Sequence, residues 1–214
     1  MNDEQLKDTF VYLDKAINYI NEAAAQVQHA CDVLRVMDPG GTAPERVLFC
    51  SPVTGVVGDV FGGDWFDATG YGKQYGTLKH YHTGVDLNRP GYKDSGSNVY
   101  AAADGVIKFV GRVTDWQGEV IVIEHTLEDG RMVWTRYAHI YHSLPLSAGL
   151  KVKRGTVICV IADYGGDGPK QDHLHYDVAR IGLGSKPGDW PGMSLVRVVS
   201  DYIDPVEWHT LRAK

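Results

Sequence analysis

Residues 172–178 read DHLHYDV. The run is short, and two imidazoles, His173 and His175, stand on either side of Leu174. On a strand, residues i and i+2 leave the same face while the residue between them leaves the other. Leu174 then points into a core and both histidines point away from it together. Buried imidazoles need partners, because an unsatisfied polar group in a core costs ~1–3 kcal/mol. The segment therefore asks for a hydrogen-bond network or a metal.

The same kind of segment recurs outward from it. VLFCSPV (47–53), NVYAAA (98–103), GVIKFVGRV (105–113), EVIVIEHT (119–126), MVWTRYAHI (132–140), TVICVIA (156–162) and HLHYDVAR (173–180) are short runs rich in Val, Ile, Tyr and Phe. Gly and Asp punctuate them, and Glu128-Asp129-Gly130 reads as a hairpin turn. Many short strands separated by turn signals predict a mainly β domain, an antiparallel sheet or sandwich, over residues 47–209, with a tail at 210–214. Two Gly-rich stretches interrupt it, Gly55 to Lys79 with Trp65 and Tyr75, and Ile181 to Met193 with Trp190. Structureless segments of that length in a compact domain are uncommon and often functional.

Residues 1–37 differ in kind. They hold none of the 25 Gly or 9 Pro. Leu6, Phe10, Leu13, Ile17, Ile20, Ala24, Val27, Cys31 and Leu34 keep a 4-3-4-3 spacing, which predicts one long N-terminal α-helix with a heptad seam. Asp38-Pro39-Gly40-Gly41 ends it and opens a linker over 38–46. Such a seam must be covered, by copies of itself in a homo-oligomer or larger assembly, by another protein, or by the β domain.

Composition excludes several function classes. The net charge is -6 and there is no basic run, which argues against nucleic acid as a partner. No stretch approaches the ~20 apolar residues of a membrane span. The start, MNDEQLKDTF, lacks the basic and apolar regions of a signal peptide. Cys31, Cys50 and Cys159 are too few and too scattered for a disulfide framework or a zinc knuckle.

The histidines outside the HLH run supply the rest of a site. YHTGVDL (81–87) places His82 and Asp86 in an HxxxD pattern around Gly84, and RYAHI (136–140) brings His139 to a strand end. Catalytic zinc sites use three protein ligands from His, Asp or Glu and leave a position open. His82, Asp86 and one histidine of the HLH pair satisfy that count. The helical HExxH arrangement is absent from the sequence.

Taken in order, five motifs resemble the lysostaphin/LytM-type family of zinc metallopeptidases, which hydrolyse peptidoglycan: HTGVDL, NVYAAADGVIKFVG, YAHI with LSAGLKVKRGTVICVIADYGG, DHLHYDV and IDPVEW. The resemblance spans roughly 47–209 and implies a LytM-like β-sheet domain. It implies one Zn²⁺ per chain on His82, Asp86 and His175, with His139 and His173 as catalytic histidines free of the metal. Tyr75 is a candidate oxyanion donor by the same analogy, and Tyr75, Trp65 and Trp190 are expected to wall a peptide groove. The implied activity is hydrolysis of amide bonds in stem peptides or cross-bridges, outside the cytoplasm in the periplasm, cell wall or a virion-associated setting. The alternative is a non-catalytic LytM-like module that binds wall peptides or serves as a structural component of a phage or secretion particle. The chain departs from the family pattern in showing no signal peptide and in a longer segment after HLH.

Overall fold

The computed structural model describes residues 45–91, 94–114, 116–164 and 172–213. The expected N-terminal helix over 1–37 lies outside the described residues. Twelve strands follow one another along the described chain. They are β1 (Phe66–Asp67), β2 (Gln74–Tyr75), β3 (His80–Tyr81), β4 (Val85–Asn88), β5 (Asn98–Tyr100) and β6 (Gly105–Gly111). Then come β7 (Glu119–Thr126), β8 (Met132–Tyr141), β9 (Lys151–Val152), β10 (Val157–Ile161), β11 (Leu174–Ala179) and β12 (Tyr202–Ile203). Helix α1 (Leu195–Asp201) precedes β12, and α2 (Pro205–Arg212) follows it.

One ten-stranded sheet carries the fold, in the order β1-β4-β11-β8-β7-β6-β9, with β10 joining β5 to β8 and β12 added beside β11. Every strand pair is antiparallel. The β7–β8 hairpin closes where the sequence predicts, with Gly130 at φ +80°, a left-handed position that glycine takes without steric cost. Two expectations are corrected. VLFCSPV forms no strand; only a bridge from Cys50 to Val57 survives, because Cys50, Ser51 and Tyr100 engage loop and turn backbone instead. The Gly55–Lys79 segment is not structureless: it contains β1, β2 and a 2.9 Å hydrogen bond from Ala68 N to Asp86 O.

Both faces of the sheet are covered, which is why the central strands read as continuous apolar runs. Ile121 and Ile123 join the main core with Phe49, Ile107, Tyr137, Leu174 and Tyr176. Val120 and Val122 join a second cluster with Ala138, Ala179, Leu183 and Tyr202. α2 seals the first face. It extends past the expected boundary at 209 to Arg212, whose Nη1 donates to Glu128 at 2.6 Å. Within this core His209 meets Tyr176 Oη at 3.0 Å, and His125 Nε2 meets Thr135 Oγ1 at 2.8 Å.

Burial pushes these two imidazoles down, His125 to about 4 and His209 to about 3. Their ordinary value is 6.5, so the unfolded chain takes up protons that the folded one refuses. The stability they contribute is complete above that value and is lost as pH falls toward the folded values. The Tm should therefore drop between pH 7 and pH 5 in thermal melts, and His209→Gln should make that drop shallower. Equal slopes in the two proteins would contradict the assignment.

Candidate metal centre

The site lies on the second face of the sheet, where strand parity assembles it. β11 sits between β4 and β8, with His175 opposite Asp86 on one side and opposite Ala138 on the other. Leu174, Tyr176 and Val178 enter the main core, so His175 and Asp177 must leave the other face. Gly84 lets the segment from His82 to β4 lie this close to β11. A Cβ there would strike Tyr176 O and Asp177 Oδ1. Its φ is not positive, so the glycine serves close approach and not a left-handed turn.

The result is a triangle of donor atoms. His82 Nε2 lies 3.0 Å from Asp86 Oδ1 and 3.0 Å from His175 Nδ1, and His175 Nδ1 lies 3.1 Å from Asp86 Oδ1. His82 and His175 are each 2 % exposed. Two imidazole nitrogens and a carboxylate oxygen converging in a buried place form a set that could hold a metal ion such as zinc, whose bonds to such atoms run ~2.0–2.2 Å. Burial opposes ionisation of Asp86, but hydrogen bonds from His175 and His82 outweigh it and hold the carboxyl well below the usual carboxylate range. Burial likewise opposes a charge on His175, yet Asp177 and Asp86 raise it to about 9 in the metal-free protein. The anion needed by a cation is thus present before any cation arrives.

His139 reaches this face through a break in parity. Val133 and Tyr137 enter the main core, and so does Ile140, an odd number of residues later. The register shifts there: Val120 faces Ala138, Glu119 faces Ile140, and His139 is the extra residue. Its φ is +62°, an uncommon value for a non-glycine residue and one that β-bulges use to re-aim a side chain. The bulge turns the imidazole toward His173, with ring centroids 4.7 Å apart. His139 Nδ1 donates to Gln117 O at 3.0 Å, the same carbonyl that accepts from Tyr164 Oη at 2.9 Å. Burial, then the neighbouring His173 and His175, push His139 down to about 3. It is therefore a neutral imidazole whose Nε2 is an acceptor. His173 Nε2 stands 3.6 Å from Asp86 Oδ1, outside hydrogen-bonding range.

Aromatic rings frame the centre. Trp116 stacks on His139 at 5.8 Å, and Trp190 lies 5.4 Å from His175 and 6.0 Å from His82. Tyr75 lies 5.4 Å from His82, and burial followed by the charges of Asp86 and Asp177 raises its phenol to about 12, keeping it a hydrogen donor. Trp65, the third expected groove residue, packs against the main core with Arg89 4.8 Å over its ring, and is not among the rings around His82 and His175. Beyond His139 opens a cleft of about 830 Å³ lined by Arg112, Trp116, Gln117, Tyr141, Asp163 and Tyr164.

The peptidase family M23 model matches residues 80–187, a little over half of the chain. The chain belongs to peptidase family M23. Among solved structures, a solution structure of lysostaphin is 20% identical with a TM-score of 0.51, covering 73% of this chain and 55% of that one. The chain thus spans about half the length of that structure. The catalytic domain of the prophage-encoded M23 protein EnpA from Enterococcus faecalis is 20% identical, with a TM-score of 0.45, over 70% of this chain and 95% of that one. The lysostaphin catalytic domain from Staphylococcus simulans is 23% identical, with a TM-score of 0.44, over 56% and 85%. No match emerges from comparison with curated protein sequences.

Within the M23 domain, His82, Asp86 and His175 form the triangle, and His139 and His173 lie beside it. Trp116, Gln117, Tyr164, Arg136 and Asp177 were not anticipated. Asp177 had a signal, since it stands two residues after His175 and shares its face. Trp116 and Gln117 had none, because a loop reaches a site through the fold and not through periodicity. Gly84→Ala should separate β4 from β11, costing ~1–3 kcal/mol or more by overpacking. Its urea midpoint should fall and its zinc affinity should drop with it, whereas an unchanged midpoint would show that the contact relaxes freely.

Proposed function

We propose that the chain is a zinc-dependent endopeptidase that hydrolyses amide bonds in peptidoglycan peptides, acting outside the cytoplasm where that substrate lies. The observation that carries this reading is the buried triangle of His82 Nε2, Asp86 Oδ1 and His175 Nδ1, with two further histidines at its edge. Zinc held by these three residues would supply Lewis acidity toward a carbonyl and a more acidic water.

The chain's own residues supply what remains. The Nδ1 hydrogen of His139 is committed to Gln117 O, so Nε2 carries the lone pair placed to take a proton. His173, beside it and 21% exposed, is placed to deliver a proton to the leaving amine or to hold the developing oxyanion. The Tyr75 hydroxyl, on the opposite wall beside His82, is a second donor for that oxyanion. Tyr75, Trp190 and Trp116 narrow the approach and exclude water. A peptide crossing the centre from the Tyr75–Trp190 wall would pass His139 into the 830 Å³ cleft.

Asp86→Ala should lose stoichiometric zinc, measured by metal analysis of purified protein. His139→Ala and His173→Ala should retain zinc and lose ~10²–10⁴-fold in turnover of defined muropeptides, read by mass spectrometry. The products of glycine-bridged and directly cross-linked muropeptides identify the bond cut. A wild-type protein that binds zinc and muropeptides but releases no product would instead be a wall-binding module.

A further inference from the structure

Behind the metal ligands lies a buried ion pair that the chemistry above leaves unused. β8 and β11 set Arg136 directly opposite Asp177, and both are 0% exposed. Arg136 Nε donates to Asp177 Oδ2 at 2.5 Å. The same oxygen lies 2.9 Å from His175 Nε2, the nitrogen on the far side of the ring from the ligand triangle. The other guanidinium donors go to neutral groups. Nη1 donates to Pro187 O at 3.1 Å and Asp189 O at 2.8 Å, and Nη2 approaches Thr83 Oγ1 at 3.5 Å. The guanidinium carbon sits 4.5 Å from the centre of the Trp116 ring.

Stability does not account for this arrangement. Desolvation consumes much of the attraction in a buried pair, and apolar side chains of similar volume often serve a core as well. The same face also buries an apolar cluster of Val120, Val122, Ala138 and Leu183. Geometry does account for it, because four parts of the site meet at one cation. They are the carboxylate against His175, the Thr83 segment next to His82, the 187–189 segment that leads into Trp190, and the Trp116 ring that stacks on His139.

We propose that Asp177 and Arg136 are positioning residues for the metal centre. Asp177 Oδ2, in charge contact with Nε2 of His175 at 2.9 Å, braces the far side of the ring and so holds Nδ1 aimed at His82 and Asp86. Arg136 fixes that carboxylate and, through the same guanidinium, sets Trp116 and the Trp190 segment relative to it. The proposal rests on the metal reading of His82, Asp86 and His175, not on peptidase activity.

Zinc affinity decides it, measured by competition with a chromophoric chelator on the full chain, with circular dichroism and thermal melts confirming the fold. Asp177→Asn should bind zinc ~10–100-fold more weakly, the range for loss of a partner that orients a ligand. Asp177→Glu, which restores the charge, should recover part of that loss. Arg136→Lys keeps a cation for Asp177 but cannot span both carbonyls and the Trp116 face. It should weaken zinc binding less and shift the tryptophan fluorescence. Wild-type zinc affinity in folded Asp177→Asn overturns the proposal; should that variant not fold, wild-type affinity together with unchanged fluorescence in Arg136→Lys does so. A wild-type chain without zinc affinity refutes the metal reading itself, which is a different result.

Discussion

β11 is hydrogen-bonded on both edges, to β4 with His175 opposite Asp86 and to β8 with Asp177 opposite Arg136. The rest of the site depends on that double register. A strand has a side-chain period of two, so a slip by one residue would bury both imidazoles in the main core and expose Leu174 and Tyr176. The apolar residues Leu174, Tyr176 and Val178 hold the register from one face, and the polar residues use the other. Packing on the first face is thus what gives the second face its precision.

Charge on that second face is arranged in depth. Within the triangle Asp86 is the most exposed at 16%, His82 and His175 are each at 2%, and Asp177 and Arg136 behind them are fully buried. Burial alone would neutralise these carboxylates. Each is kept ionised by partners that outweigh it, His175 and His82 for Asp86, Arg136 and His175 for Asp177. His139 is treated in the opposite way. It has a carbonyl on one nitrogen and histidines for neighbours, so burial leaves it neutral. The same residue type is thereby pushed two ways within a few ångströms, His175 toward charge by the carboxylates against it and His139 toward neutrality by burial behind a carbonyl.

The glycines of the domain differ in purpose although they look alike in the sequence. Gly130 provides a left-handed backbone at a hairpin tip. Gly84 instead provides the space of a missing Cβ against β11. Substitution at the first strains a turn, while a Cβ at the second meets the backbone of the strand that carries His175.

Much was legible in the residues themselves. Short alternating runs with turn signals specify antiparallel strands, because the period of two and the chemistry of tight turns are local properties. HTGVD and HLH supply His82, Asp86 and a pair of histidines, because donor type and spacing are written in the chain, while the choice of His175 over His173 came only from the family resemblance. Even the face shared by His173 and His175 follows from counting. The sequence could not place His139, since its entry to the site depends on a bulge that reverses strand parity, and a bulge arises from pairing with β7. Nor could it bring Trp116 to the centre or send Trp65 elsewhere, because loops carry no period. Arg136 reads as one more strand residue. Only the register of β8 against β11 makes it the cation on which a metal ligand, two aromatic walls and a loop converge.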